Sequence, residues 1–169
     1  MTEQWLPITG FEDSYEVSND GRARSLDRYR INGKGGQVLW RGREIKPYFQ
    51  RRSGHVLFNL WRNSRQTKKQ AHRLVLEAFV GPAPDGHECC HLDGDPKNNR
   101  IENLYWGTRS ENTIDSVSHG THSHARKTHC KQGHPLSGDN LKPNSRGVRI
   151  CRQCQADSNR KYRARRTAA

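Results

Sequence analysis

The sequence predicts an α+β protein made of several small units, and three observations support this fold class. Only 31% of the 169 residues are hydrophobic and the mean hydropathy is −1.11, so we expect no single large core. The first 70 residues alternate apolar and polar positions between turns, which is typical of a small antiparallel sheet. A strand–loop–strand–helix pattern follows, and then a basic tail rich in Cys and His. We expect three parts, at residues 1–70, 71–118 and 119–169.

The net charge of +13 and the pI of about 10.0 indicate a polyanionic partner. Residues 120–169 hold 12 Lys or Arg and 2 acidic residues, whereas residues 1–119 hold 18 and 15. A membrane-binding segment would need a long amphipathic helix, but the basic stretches are interrupted by His, Cys, Gly and Asn. Nucleic acid is therefore the expected partner, and no membrane contact is expected.

The cysteines favour metal binding over disulfide bonds. The chain shows neither the roughly 18-residue apolar stretch of a transmembrane helix nor the features of a signal peptide, so we expect a cytoplasmic protein. Disulfides are rare in that compartment, and five cysteines are an odd number. Cys130, Cys151 and Cys154 are thus candidate metal ligands.

The N-terminal part begins with a predicted β-hairpin. Residues 15–18 and 22–26 have strand character and flank Asn19, Asp20 and Gly21, residue types that tolerate a positive φ in a tight turn. Residues 30–37 contain three glycines with Lys and Arg, which predicts a basic loop without a regular element.

A second antiparallel sheet is predicted between residues 44 and 70, where Val56, Phe58 and Leu60 alternate with other side chains. Its outer face and turns carry six cations that could lie along DNA phosphates. The alternative is an ordinary solvated sheet edge whose charges prevent aggregation. These cations are Arg51, Arg52, Arg62, Arg65, Lys68 and Lys69.

The central part predicts a helix, a hairpin and a second helix. Apolar residues recur at helical spacing in residues 72–79, and His72 is expected to cap or pack this helix without a catalytic role. Residues 88–106 predict a hairpin with a long polar loop at 93–102. Thr108 and Glu111 have the spacing of a capping box, so the second helix should begin there and end near Gly120.

Three polar residues of this part could hydrolyse a phosphodiester, a reaction that needs a base to activate water and a cation to neutralise the phosphate. His91 ends the first strand, Asn103 closes the loop, and Asn112 lies in the first turns of the second helix. The helical or strand periodicity of the sequence does not by itself show that these three residues lie close together. If they are not catalytic, the Asn and Asp residues are ordinary turn formers.

The same region resembles the HNH endonucleases of phages and mobile introns. The resemblance is carried by residues 72–79, HRLVLEAF, and by residues 90–112, CHLDGDPKNNRIENLYWGTRSEN. Residues 5–26, WLPITGFEDSYEVSNDGRARSL, also look like the modular DNA-binding motif that often precedes such nucleases.

The resemblance implies a ββα-metal active site. In it His91 is the general base, Asn103 helps to orient His91 across the hairpin, and Asn112 binds Mg²⁺ or Mn²⁺. Several family members have an acidic metal ligand just before the base, whereas this chain has Cys90, a soft and uncertain ligand. Either Asn112, phosphate and water hold the metal, or Asp93 or Asp95 assists, or a softer ion is used.

The tail has two short-spaced pairs of metal ligands, as a structural Zn²⁺ site needs. Cys130 and His134 form the first pair and Cys151 and Cys154 the second, with His129 as an alternative to His134. The opposing hypothesis is a disordered tail with reduced thiols. Beyond the second pair we expect a short basic helix along the DNA backbone, with Tyr162 among Arg160, Lys161, Arg163, Arg165 and Arg166.

Together these features predict a monomeric, metal-dependent nuclease that nicks or cuts double-stranded DNA and has no small-molecule substrate. A homing-type enzyme of a phage or mobile element fits best, and it would act in the host cytoplasm. A non-catalytic zinc-containing DNA-binding protein derived from such a nuclease is the main alternative, favoured only by Cys90. An RNA-binding zinc protein would share the same charge.

Overall fold

A computed structural model describes residues 2–144 and 148–167 of the chain. The fold divides into two compact units, Met1–His119 and Gly120–Ala169. Within the described residues, every helix is too short or too polar to cross a bilayer.

The first unit contains ten strands and two α-helices in the order β1–β8, α1, β9, β10, α2. The strands are β1 (Trp5–Pro7), β2 (Tyr15–Ser18), β3 (Ala23–Ser25), β4 (Arg28–Ile31), β5 (Gln37–Trp40), β6 (Tyr48–Phe49), β7 (Val56–Arg62), β8 (Arg65–Gln70), β9 (His87–His91) and β10 (Leu104–Thr108). The helices are α1 (Ala71–Phe79) and α2 (Arg109–Ser118). All strand pairings are antiparallel: β1–β2–β3, β4–β5, β6–β7–β8 and β9–β10.

The hairpin predicted around Asn19 is confirmed as β2 and β3. Val17 pairs with Ala23, and both are fully buried. Gly21 has a φ of +83°, a conformation that costs glycine little because it has no Cβ.

The prediction of an irregular loop at residues 30–37 is wrong, because β4 and β5 form a two-stranded ribbon there. The glycines lie only in its tight turn, where the Asn32 side chain accepts hydrogen bonds from the amides of Lys34 and Gly36. On the strands, Arg30 stacks over Trp40 at 4.7 Å from the ring centroid. Tyr29 pairs with Leu39 across the ribbon, and such cross-strand contacts stabilise paired strands. The three glycines of the turn obscure this pattern in the sequence.

The second predicted sheet is confirmed, with the expected alternation on β7. Val56, Phe58 and Leu60 are buried with exposed fractions of 7%, 1% and 0%. Its turn has positive φ angles at Asn63 and Ser64, 49° and 60°, as a two-residue hairpin loop requires.

The helix α1 packs its apolar face into the core of the first unit, and Ala71, Val75 and Leu76 are fully buried. The same core includes residues from β2, β7 and β10. Residues before and after position 70 therefore share one core. The division into parts at 1–70, 71–118 and 119–169 stays a prediction.

The strand–loop–strand–helix pattern is confirmed as β9, β10 and α2. His91 pairs with Leu104 and Glu88 with Gly107 across the hairpin. The predicted capping box is present: the Thr108 hydroxyl accepts the Glu111 amide, and the Glu111 carboxylate accepts the Thr108 amide.

In its described residues, the second unit contains a small hairpin and one α-helix. Its elements are β11 (Leu141–Pro143), β12 (Arg149–Cys151) and α3 (Arg152–Thr167). Leu141 pairs with Cys151, so β12 brings a cysteine next to the start of α3.

Candidate active site

His91 ends β9 where the long polar loop begins, and two other histidines line its ring. The His72 ring from α1 lies edge-on with its centroid at 5.2 Å, and the His55 ring before β7 is stacked at 6.1 Å. Sequence reasoning did not predict that His55 or His72 would contact His91, because the three residues are far apart along the chain. His91 itself is only half-buried, so one side of its ring remains accessible.

Asn99 fixes the orientation and the tautomer of His91. Its carboxamide nitrogen donates to the backbone oxygen of Lys97 at 3.0 Å, which leaves its Oδ1 facing His91 Nε2 at 3.2 Å. Since Oδ1 can only accept, Nε2 must carry the proton, and the neutral ring then has its lone pair on Nδ1. Asn99 is 96% buried, unlike an Asn that only forms an exposed turn.

The loop after His91 is held by Asp93. Its Oδ1 accepts the Asn103 side-chain amide at 2.9 Å and the Asp95 backbone amide at 2.8 Å, and its Oδ2 accepts the Asn98 side-chain amide at 2.7 Å. These hydrogen bonds to the carboxylate, led by the one from Asn98, lower the pKa of Asp93 to about 2.

Asn103 therefore acts on the loop, whereas the resemblance implied that it orients His91. Its Oδ1 accepts the Asp93 amide at 3.1 Å and its Nδ2 also donates to the Asn98 carbonyl at 2.8 Å. Asp93 and Asp95, considered above as assisting metal ligands, are both engaged within the loop, since Asp95 Oδ1 accepts the Lys97 amide at 2.9 Å.

The hairpin turn of β2 and β3 contacts this loop directly. Asn19 accepts the Ile101 amide through its carbonyl at 2.8 Å, and Asp20 forms an ion pair with Arg100 at 3.3 Å. Gly21 lies so close to Asn99 that an added Cβ would stand 2.7 Å from the Asn99 Cβ. The turn therefore fixes the backbone on which Asn99 is carried.

The other face of β9 turns toward α2 and carries Glu88 and Cys90. Asn112, half-buried on α2, donates its Nδ2 to Glu88 Oε2 at 3.0 Å. Cys90 is 98% buried, and this burial raises the pKa of its thiol. A buried neutral thiol is a poor ligand for Mg²⁺, whereas the amide and carboxylate oxygens of Asn112 and Glu88 suit a hard cation.

Burial also keeps His72 and His55 neutral. Burial, followed by the nearby His55, lowers the pKa of His72 to about 3, and burial lowers the pKa of His55 as well. The Nδ1 atom of His72 is buried without a hydrogen-bond partner among the described residues. The side of the His91 ring that faces His72 and His55 is therefore lined by uncharged rings.

The cations predicted to contact DNA do not share one face of their sheet. Lys68 pairs with Asn59 and projects with Trp61 from the outer face, whereas Lys69 pairs with Phe58 and is half-buried. Arg62 and Arg65 face each other across the turn of β7 and β8. Arg51 and Arg52 are exposed in the preceding loop.

In the second unit, four predicted ligands converge. The ligand atoms of Cys130, His134, Cys151 and Cys154 all lie within 4.8 Å of one another. Cys154 Sγ lies 3.3 Å from His134 Nδ1 and 3.5 Å from Cys130 Sγ. Tetrahedral zinc with bonds of about 2.3 Å to sulfur places such sulfur atoms about 3.8 Å apart. His129 instead contacts its neighbour Thr128.

The pKa values of two thiols in this cluster are shifted in opposite directions. A hydrogen bond from the Cys154 amide lowers the pKa of Cys151. The pKa of Cys154 is raised, and the largest cause is the hydrogen bond between its thiol and Cys130. Several thiolates this close repel one another, so a cation among them would favour the fully ionised cluster.

Comparisons with known families match the first unit in two segments. Residues 3–61 match the NUMOD4 motif, and residues 69–114 match the HNH endonuclease family. The segment that is similar to HNH endonucleases thus spans α1, β9, the loop of His91, β10 and the first turns of α2.

The proteins similar to this chain include a phage DNA endonuclease and an uncharacterised HNH endonuclease. The DNA endonuclease I-HmuI of Bacillus phage SP01 is 30% identical over 118 residues, which cover 70% of this chain and 60% of that protein. The uncharacterized HNH endonuclease L247 of Acanthamoeba polyphaga mimivirus is 31% identical over 120 residues, covering 69% of this chain and 26% of that protein.

A solved structure is also similar to this chain. A structure of the HNH homing endonuclease I-HmuI, which describes DNA binding and cleavage, matches with a TM-score of 0.57 and 28% identity, over 73% of this chain and 63% of that one. This chain therefore spans less than two thirds of the length of I-HmuI.

Proposed function

We propose that the protein is a metal-dependent endonuclease that hydrolyses phosphodiester bonds of double-stranded DNA, of the homing type found in phages and mobile elements. The supporting observation is the hydrogen bond between His91 and Asn99 within the segment that is similar to HNH endonucleases, because it leaves Nδ1 of an accessible imidazole free to take a proton. I-HmuI of Bacillus phage SP01, to which this chain is similar, is a DNA endonuclease, which supports the choice of substrate.

In the proposed mechanism His91 acts as the general base and Asn112 binds the divalent cation. His91 Nδ1 accepts the proton of the attacking water, and Asn99 stabilises the resulting imidazolium through Nε2. Mg²⁺ or Mn²⁺ would neutralise charge on the phosphate and the leaving oxygen. Asn103 contributes indirectly, by holding the loop that follows His91 in one conformation.

DNA would be held by cations of both units. On the sheet of the first unit, Arg62 and Arg65 lie opposite each other at an exposed turn. The other proposed contacts there are Arg51, Arg52, Lys68 and Lys69. On α3 of the second unit they are Arg160, Lys161 and Arg163, which are exposed.

Zn²⁺ bound by Cys130, His134, Cys151 and Cys154 would stabilise the second unit. The ligand spacing in space supports this proposal. The unit has little else to hold it together, since Cys151 is the only residue of its described part with a buried hydrophobic side chain.

Cleavage of supercoiled plasmid with Mg²⁺ or Mn²⁺ tests the proposed activity. The wild type should yield nicked circles or linear DNA, EDTA should prevent this, and His91→Ala should lower the rate by at least about 10²-fold because the general base is lost. His87→Ala is the matched control, since His87 lies on the same strand and should be dispensable.

The alternative of a non-catalytic DNA-binding protein rests on Cys90 and makes the opposite prediction. It requires that the wild type leave the plasmid intact with either ion while still binding the duplex in a gel-shift assay. Cleavage that survives His91→Ala would instead refute the role of His91.

A further inference from the structure

A hard divalent cation beside His91 needs oxygen ligands, and position 90 does not provide one. Cys90 is 98% buried, and its sulfur lies 3.6 Å from the carbonyl oxygen of Glu88 within its own strand. An added Cβ at Gly107 would stand 3.0 Å from this sulfur, so the thiol is packed closely against β10. A buried soft donor in such packing does not suit Mg²⁺ or Mn²⁺.

Glu88 offers a carboxylate on the same face of the same strand. Successive side chains of a strand alternate between its faces, so positions 88 and 90 project together toward α2. Glu88 is exposed, and its longer side chain extends to Asn112, whose Nδ2 donates to Oε2 at 3.0 Å. The cross-strand neighbour Gly107 has no side chain to obstruct it.

The hydrogen bond to Glu88 also determines which way the Asn112 carboxamide faces. With Nδ2 on Glu88, Oδ1 is left without a hydrogen-bond partner within the described part of the chain. An unpartnered amide oxygen next to a carboxylate is a pair of hard donors of the kind that Mg²⁺ and Mn²⁺ prefer.

Other acidic residues near the hairpin are already engaged. Asp93 and Asp95 accept hydrogen bonds within the loop, and Asp115 on α2 accepts the hydroxyl of Tyr105. Glu88 differs from them because its described side-chain partner is Asn112 itself.

We propose that Glu88 supplies the carboxylate of the divalent-cation site, binding Mg²⁺ or Mn²⁺ together with Asn112 Oδ1. This inference rests on the proposed metal-dependent nuclease. It places the carboxylate two residues before Cys90, on the same strand face.

Titration of the zinc-loaded full-length protein with Mn²⁺, followed by the EPR signal of free Mn²⁺, tests the proposal directly. Glu88→Gln should weaken Mn²⁺ binding by at least about tenfold, because an amide oxygen replaces a charged ligand. Glu88→Asp keeps the charge on a shorter side chain and should bind with intermediate affinity. The matched control is Glu102→Gln, which removes an exposed carboxylate from the turn before β10 and should not change the affinity.

The outcomes separate this proposal from the proposed function. Equal Mn²⁺ affinity of wild type and Glu88→Gln, with unchanged thermal unfolding, overturns the role of Glu88 even if the wild type cleaves plasmid. Mn²⁺ binding that is lost in Glu88→Gln supports the role of Glu88 even if the wild type leaves plasmid intact, a result that would refute the nuclease instead. A wild type that binds no Mn²⁺, alone or with a DNA duplex, overturns the ligand assignment.

Discussion

His72 links the stability of the first unit to its candidate active site. Its ring packs between His55 and His91, at centroid distances of 4.8 Å and 5.2 Å. A charge on this ring would be desolvated in the core, because Nδ1 is buried with no partner in the described ranges. The folded protein therefore holds His72 as a neutral imidazole, which keeps a positive charge away from His91, the proposed general base.

Acidification should consequently destabilise the first unit well above the pH at which carboxylates titrate. The pKa of His72 is lowered from 6.5 to about 3, so below pH 6.5 the unfolded chain binds a proton that the folded chain does not. The stabilisation of the folded state that depends on neutral His72 is complete above pH 6.5. It is lost as the pH falls toward 3, at about 1.4 kcal/mol per pH unit. Between pH 7 and pH 5 we expect a loss of about 2 kcal/mol.

Urea unfolding followed by tryptophan fluorescence measures this loss in the first unit alone, because all four tryptophans lie in residues 1–119. His72→Gln has no titrating ring at this position and serves as the control. Its free energy of unfolding should fall less than that of the wild type between pH 7 and pH 5. An equal fall in both proteins would contradict the assignment.

Single residues of the site could be predicted from the sequence only where a motif contains them. His91 and Asn112 lie within the segment that resembles HNH endonucleases, and the structure places them on β9 and α2 as expected. Asn99 and His72 lie in the same segments, but their contacts with His91 depend on how the loop and α1 pack. Glu88 lies outside the motif, and only strand alternation could have indicated its face.

At the scale of elements, the β2–β3 turn and the active-site loop form one packed assembly. Gly21 is needed twice, for its positive φ and for its close approach to Asn99. A side chain there would displace Asn99, which contacts His91, although Gly21 and His91 are 70 residues apart along the chain. The turn in the NUMOD4 segment therefore holds Asn99 in place as well as stabilising the fold.

Gly21→Ala and Gly10→Ala separate these two requirements. Both glycines have φ near +80°, so each substitution should cost about 1 kcal/mol of stability. An added Cβ at Gly10 would meet no atom within 4 Å, whereas at Gly21 it would stand 2.7 Å from Asn99. We expect Gly21→Ala alone to lower the plasmid cleavage rate, by about tenfold or more, because Asn99 must shift.

Thermal unfolding of the two variants controls for the shared strain. A larger loss of stability in Gly21→Ala is expected, and the cleavage assay is run well below both melting temperatures. Equal cleavage rates in the two variants would show that the turn does not position the loop.

Elements with strong local signals were predicted from the sequence, and those that depend on pairing were not. The capping box of Thr108 and the alternation of Val56, Phe58 and Leu60 are local signals, and both are confirmed. The β4–β5 ribbon was missed because its turn contributes three glycines to a short window, while its strands are stabilised by partners across the hairpin.

On the scale of the whole molecule, the two units are stabilised in different ways. The first buries an apolar core, from Ile8 to Leu104. The second holds most of the excess positive charge, and four of its Cys and His side chains lie close together. If zinc binding supplies its folding free energy, the basic helix α3 should depend on the metal, and so should its contribution to DNA binding.

Cys151→Ala and Cys89→Ala test this dependence. Cys151 belongs to the four-ligand cluster, whereas Cys89 packs against the core of the first unit and serves as the control. Elemental analysis should find about one zinc per chain in the wild type and in Cys89→Ala, and none in Cys151→Ala, because a tetrahedral site rarely survives the loss of a thiolate. Far-UV circular dichroism should show lost helix only in Cys151→Ala, with the tryptophan fluorescence of the first unit unchanged.

The same pair of variants connects the metal to DNA binding. If α3 neutralises phosphates through Arg160, Lys161 and Arg163, its unfolding should weaken binding of all duplexes alike. The slope of log K against log salt concentration should become shallower by about 0.9 for each lost phosphate contact, or about 2.7 for three. Cys89→Ala should keep the wild-type slope. A metal-free Cys151→Ala protein with unchanged helix content and salt slope would show that zinc neither folds the second unit nor supports its contact with DNA.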